Sequence, residues 1–204
     1  SMSGVTSSID YTAGGFWTLE YKRIFIETRD QHRYWSYMRN NITGGVTQCA
    51  AIIKQNGSAP IPGGTEFEYP AFSGSVAFSD GTTFAAGSVT AFVAADAVAG
   101  SGTVSIDVAE GCEFIGGETF AVYHPTYEWR TYSISSVDSV SGTTYTLGIR
   151  PPLRDTISVG DVCEFIEPKC MMRLAPGTKM PMEAEPPWHN SNATVALIEA
   201  FPNG

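Results

Sequence analysis

Three histidines, four cysteines and a few closely spaced acids are the residues of this 204-residue chain best equipped for chemistry. His32, His124 and His189 stand in the contexts HRYW, YHPTY and PWHN. His124 and Glu128 could approach in a turn as an acid–base pair. Glu66 and Glu68 would share one face of a strand, and two carboxylates so placed could do glycosidase chemistry. An exposed turn and an acidic strand edge account for the same residues without catalysis. Cys49, Cys112, Cys163 and Cys170 form no C-x-x-C pair, and the seven-residue step from Cys163 to Cys170 is not a zinc spacing. No H-E-x-x-H helix, Gly-x-Ser-x-Gly elbow, phosphate loop or acidic calcium loop occurs. The residues therefore point away from an enzyme. No catalytic, cofactor-binding or metal-binding residue is assigned, no cofactor is expected, and the four thiols are expected to be free. Cys112–Cys163 is the pair that would challenge this, because the tetrapeptide CEFI stands at both 112–115 and 163–166.

Aromatics offer a different chemistry. Tyr123, Tyr127, Trp129 and Tyr132 lie close together in sequence, with Trp188 further on. Flat rings exposed on a β-sandwich stack on sugars, whereas the same rings turned inward would simply pack a core. A carbohydrate-binding module carried by Tyr127, Trp129 and Trp188 is thus one live reading, and core or interface packing is the other.

Charge narrows the partners. The chain has 21 acids against 12 bases, a net charge of −9, and only 16% of it is charged. Gripping nucleic-acid phosphates needs clustered Lys and Arg, which this composition lacks. The imbalance is also localised. Between Lys54 and Arg130 there is no cation, while nine acids fall there: Glu66, Glu68, Asp80, Asp96, Asp107, Glu110, Glu113, Glu118 and Glu128. This is either an accident of composition on a solvated surface or a surface that repels polyanions or binds cations. No run of 18 apolar residues is present and SMSGVTSS resembles no signal peptide, so no membrane partner is expected.

The elements that would position these residues are mostly strands. In FWTLEYKRIFIET (16–28), Trp17, Leu19 and Tyr21 alternate with Thr18, Glu20 and Lys22, the period of a half-buried strand. Asp30–Asn41 reads as the one convincing helix, with Asp30 as cap and Tyr34, Trp35, Tyr37 and Met38 as its apolar face. TQCAAII (47–53) follows as a strand. The Gly, Ser, Ala and Thr of 73–103 read as loop, with Asp80-Gly81 as a turn signal. Short strands then succeed one another from 103 to 174, with SGT (141–143) as a turn, suggesting a small antiparallel barrel or sandwich. Four prolines make 176–190 an extended connector. ATVALIEAF (193–201) is a last strand, expected to return to the sheet begun by 16–28.

From residue 149 onward the chain resembles a known family. IRPPLRDTISVGDVCEFIEPKCMMRL matches the C-terminal signature of phage and prophage tail proteins at Pro151, Pro152, Leu153, Arg154, Gly160, Pro168, Cys170, Met172 and Leu174. FSDGTTF resembles that family's SDG-x-x-F motif (Ser79, Asp80, Gly81, Phe84), and ALIEAF its closing strand (Glu199, Ala200, Phe201). The resemblance covers about residues 16–201, and its motifs are structural punctuation. It implies a mainly β fold: a tail-tube-like β-sandwich with one flanking α-helix plus an inserted small antiparallel β-barrel or sandwich module. The expected division is 1–60 with 185–204 as the tube-like domain, 61–102 as a Gly/Ala/Ser-rich loop region, and 103–184 as the insert. The implied role is a distal tail protein of a long-tailed bacteriophage, a structural protein of the viral tail tip made in the host cytoplasm. It would form a homo-oligomeric ring, a hexamer, between tail tube and tail hub. DNA would pass through such a ring without being bound, and the acidic interval suits that passage. On the alternative carbohydrate reading, a host-surface glycan would be a further partner.

Overall fold

A computed structural model of the chain describes residues 8–9, 15–42, 47–53, 61–62, 91–108, 112–185 and 190–201. In chain order they form β1 (Ser8–Ile9), β2 (Thr18–Ile26), α1 (Arg29–Ile42), β3 (Cys49–Ile52), β4 (Ile61–Pro62), β5 (Ala91–Val93) and β6 (Thr103–Val108). There follow β7 (Cys112–Glu113), β8 (Thr119–His124), β9 (Glu128–Ser141), β10 (Thr144–Arg150), β11 (Val162–Cys163), β12 (Lys169–Leu174), β13 (Met182–Glu185) and β14 (Asn190–Glu199). Among the described residues the fold is mainly β with one helix; one sheet makes a half-barrel and another a nearly closed barrel. The chain divides into a terminal unit, 1–51 with 170–204, and a central unit, 52–169.

The terminal unit's sheet runs β1-β2-β14-β12-β3, with β13 also paired to β14. The two chain ends meet as expected: Leu19 lies opposite Leu197, and Thr18 opposite Ile198. Strand β2 does not keep the single alternation read from the sequence. Ala193 faces Ile24 but Val195 faces Tyr21, so Lys22 and Arg23 together stand opposite Thr194. This bulge shifts the period by one residue. Leu19 is buried before it and Ile26 after it, while Phe25 is turned out at 51% exposure. Arg23 takes the left-handed backbone, φ 56°, that the bulge requires. That conformation costs a side-chain-bearing residue roughly 1–2 kcal/mol. Arg23→Gly is therefore expected to leave stability unchanged or raise it by up to about 1 kcal/mol, the gain reduced by glycine's freedom in the unfolded chain. Arg23→Val should lower it. Urea melts of the three proteins read the order.

Helix α1 begins one residue earlier than the sequence indicates, and its cap is Thr28, not Asp30. Thr28 Oγ1 accepts the Gln31 N–H (3.2 Å), and Gln31 Oε1 accepts the N–H groups of Thr28 (3.0 Å) and Glu27 (2.8 Å). This reciprocal box satisfies donors that the first turn leaves open. Its buried residues are Trp35 and Ile42; Tyr34 and Tyr37, expected on the apolar face, are 64% and 66% exposed.

Three further segments differ from the sequence reading. Ala91–Val93, assigned to loop, is strand β5 of the central unit. Met182–Glu185, assigned to an irregular connector, pairs with β14 as β13. Lys169–Leu174, assigned to the insert, pairs with β14 in the terminal sheet. Propensity alone does not choose a partner strand; the register does.

The central sheet runs β11-β5-β6-β10-β9-β8. Ala121 and Glu164 exchange two backbone hydrogen bonds (2.9 and 2.8 Å), which draw β8 toward the end of β11 and nearly close the barrel. Between β9 and β10 Ser141 pairs with Thr144, leaving Gly142-Thr143 as a two-residue turn with Gly142 at φ 63°. That backbone matches the twist of a hairpin and suits glycine in the first position. The repeated CEFI segments enter this core alike. Cys112 and Phe114, and Cys163 and Phe165, are buried, while Ile115 and Ile166 point out. Their rings join a continuous line. Tyr145 meets Phe114 (5.0 Å between centroids), Phe114 meets Phe165 (5.4 Å), and Phe165 meets Phe120 (5.3 Å). Phe120 then meets Tyr132 (5.7 Å), which meets His124 (5.9 Å).

Candidate interaction surfaces

The family-motif residues that lie among the described ones occupy framework positions. Pro151 is buried behind a cis Arg150–Pro151 bond and Pro152 is exposed. Leu153 is buried, donates its N–H to Ser101 O (2.9 Å) and accepts the Gly100 N–H (2.7 Å). Cys170, Met172 and Leu174 are buried at alternate positions of β12, which places them on one face. Glu199 is buried at the end of β14; its Oε2 accepts the Trp17 N–H (3.2 Å) and its own N–H goes to Trp17 O (2.7 Å). It clips the start of β2 to the last strand, and Phe16 meets Phe201 beside it (5.7 Å). Asp80, Gly81, Trp188, His189, Glu66 and Glu68 lie outside the described residues.

His124 and Glu128 are opposite one another in register, yet they do not make an acid–base pair. Glu128 is exposed with φ 58°, whereas His124 is fully buried. Its Nε2 lies 2.8 Å from the Tyr132 hydroxyl, and that hydroxyl oxygen accepts the Arg154 N–H (3.0 Å). The Tyr132 hydroxyl links the His124 ring to the Arg154 backbone, and the ring's tautomer sets which of the two donates in the His124–Tyr132 bond. Burial lowers the His124 pKa below its ordinary 6.5, with the Arg130 charge acting in the same direction; Asp155, the Thr156 backbone and Asp161 pull the other way. The PPLR segment is thus anchored to the barrel through Tyr132. The arrangement holds a loop.

The thiols are free and quiet. Burial raises the pKa of Cys49 and Cys112, and pushes Cys163 up to about 12 with help from the Asp161 charge. Cys49 is half-buried and the other three are buried. Since the thiolate is the reactive form, iodoacetamide on the native protein should modify Cys49 first and leave the rest slow. After denaturation, intact mass should show four additions; three or fewer would mean a bridge. Glu118 is likewise spoken for. It is buried, and its two carboxylate oxygens accept the Ile115 and Gly116 N–H groups (2.7 and 2.8 Å). Of the nine acids in the cation-free interval, it is a turn clamp and not part of a repelling surface. Among the described residues, no group of three or more His, Cys, Asp or Glu is placed to hold a metal.

The aromatic cluster separates into layers. Tyr132 is core. Tyr123 is half exposed and meets Trp129 edge-on, 5.6 Å apart at 72°. Lys169 Nζ lies 5.6 Å from the centre of the Trp129 ring, and the Arg130 guanidinium 5.7 Å from that of Tyr127. No family model matches the chain, and no curated protein matches it.

Phe25, Tyr34 and Tyr37 are exposed on the terminal unit, and Phe92 and Val162 on the central one. Phe92 is not legible in the sequence because the Gly, Ser, Ala and Thr around it read as loop, and its neighbour Val162 lies on another strand, β11. The sequence misplaces Tyr34 and Tyr37 because a helix of this composition has two plausible apolar faces. Charge is divided sharply between the units. Residues 52–169 hold fourteen acids and five bases, the whole net −9, while the terminal unit holds seven of each.

Proposed function

We propose that this protein is a structural component of a long-tailed bacteriophage tail, a distal tail protein that forms a ring, a hexamer, between tail tube and hub. The observation that carries the reading is the coincidence of motif and framework. PPLR, C-x-M-x-L and the closing EAF fall on loop anchors, an inward strand face and a chain-end clip of a half-barrel with one helix, into which a β-barrel is inserted. These are positions that keep a shape, as a protein whose task is assembly requires. Exposed aromatic side chains on both units supply material for contacts between copies. A heterologous contact that closes makes a ring. A central unit of net −9 would repel DNA phosphates and let the genome slide past. The protein is taken to act without catalysis and without a cofactor, in the virion tail.

The test is mass in solution by light scattering, followed by negative-stain images. Closed six-fold rings are expected; a monomer under every condition would reject the reading. The alternative, a carbohydrate-binding module for a host-surface glycan, draws on the exposed Tyr123 and the partly exposed Trp129. Their edge-on geometry and the Lys169 ammonium near the indole leave no flat shared platform for a sugar ring. A glycan array should therefore give no reproducible binder. Binding that Trp129→Ala abolishes would instead establish the sugar reading.

A further inference from the structure

We propose that the contact between neighbouring copies is made by the outer face of α1 on one copy and an apolar–acidic stripe on the barrel of the next. The proposal rests on the ring reading and names its interface.

On α1, Arg29, Arg33 and Tyr37 recur at intervals of four and so share one face, opposite the buried Trp35 and Ile42. Both arginines are exposed, as are Tyr37 and the flanking Tyr34. Arginine and tyrosine are the residue types that dominate binding energy at protein interfaces. On the barrel, Val162 pairs with Phe92 and Phe92 with Asp107 across β11, β5 and β6. Residues directly opposite in neighbouring strands project to the same side. Val162 (55% exposed), Phe92 (41%) and Asp107 (exposed) therefore form a continuous row on the outside. Arg29, Arg33 and Asp107 make no ion pair among the described residues.

Spacing and charge match. Arg33 and Tyr37 are separated by one helical turn, about 6 Å along the axis. Asp107 and Phe92 are separated by one strand spacing, about 5 Å. With Arg33 on Asp107, Tyr37 falls over Phe92 and Val162. The occupant is a second copy because the chain itself supplies the complement: a helix with three arginines and one acid, and a barrel unit that holds all of the net −9. Complementary charge also fixes register between copies and suppresses wrong pairings. The contact joins two different patches, so it propagates head to tail and can close into a ring.

The experiment is a charge swap that conserves total charge. Wild type, Arg33→Glu, Asp107→Arg and the double variant carrying both are compared by sedimentation velocity over a concentration series at about 0.15 M salt, where the Debye length is about 8 Å. The substituted positions are exposed, so circular dichroism and melting temperature should be unchanged. Each single variant is expected to raise the dissociation constant between copies about tenfold or more, and the double variant to return within about threefold of wild type. Rings formed equally by all four proteins, or a double variant as weak as the singles, overturn this interface while the ring reading stands. A charge-dependent oligomer that never closes supports the interface and rejects the ring. A wild type that stays monomeric at every concentration rejects both.

Discussion

Phe165→Ala is expected to destabilise the central barrel by about 3–5 kcal/mol, and Ile166→Ala beside it by less than about 1 kcal/mol. Phe165 is 1% exposed and lies between Phe114 and Phe120, so truncation leaves a void that two rings on separate segments cannot both fill. The loss combines the buried area of the ring, the contacts of two aromatic neighbours and the cavity left behind. Ile166 is 42% exposed, so its removal costs little. The same contrast should hold in the other copy of the tetrapeptide, between buried Phe114 and Ile115 at 81% exposure. Urea unfolding followed by tyrosine and tryptophan fluorescence measures all four variants. Equal losses at Phe165 and Ile166 would show that the barrel does not take its stability from this line of rings.

The second large effect is a dependence on pH that originates at His124. In the folded chain its pKa is held below 6.5 by burial first, and then by Arg130. In the unfolded chain it returns to about 6.5. Above that pH the ring is neutral in both states and contributes nothing to the pH dependence. Below it the unfolded chain takes up a proton that the folded chain refuses. Stability therefore falls as pH drops through about 6.5, by at most about 1.4 kcal/mol per pH unit, until the folded pKa is reached; below that the slope vanishes. In the protonated ring both nitrogens are donors, so Nε2 can then only donate to the Tyr132 hydroxyl. His124→Gln removes the titrating group. It should be less stable than wild type at pH 7.5 by about 1–3 kcal/mol, and the difference should narrow between pH 6.5 and 5.5. A difference that stays constant across that interval would mean that His124 does not carry the slope.

Much of this molecule could be read from the chain alone. Mainly β structure followed from alternating residues in segments such as TVSIDV and TYTLGI, where period 2 and β-branched side chains leave one face to bury. The single helix followed from its period, and the free thiols from their spacing and context. The pairing of the two chain ends was legible because both are apolar on alternate residues and must bury that face together. Other features depended on distant partners. Thr28 outranked Asp30 as the cap because Gln31 could reciprocate. The bulge at Lys22-Arg23 was set by what β14 placed opposite, and it alone turned Phe25 outward. His124 was drawn to Tyr132 and away from Glu128 by the inward face of β8 and β9. Phe92, Asp107 and Val162 belong to three strands far apart in sequence, so no local pattern could place them in one row. Sequence periodicity determines which side of a strand is apolar, because that is a property of the residue and its neighbours two away. Tertiary structure decides which strand it lies against and in what register, because those contacts depend on segments that only folding brings together.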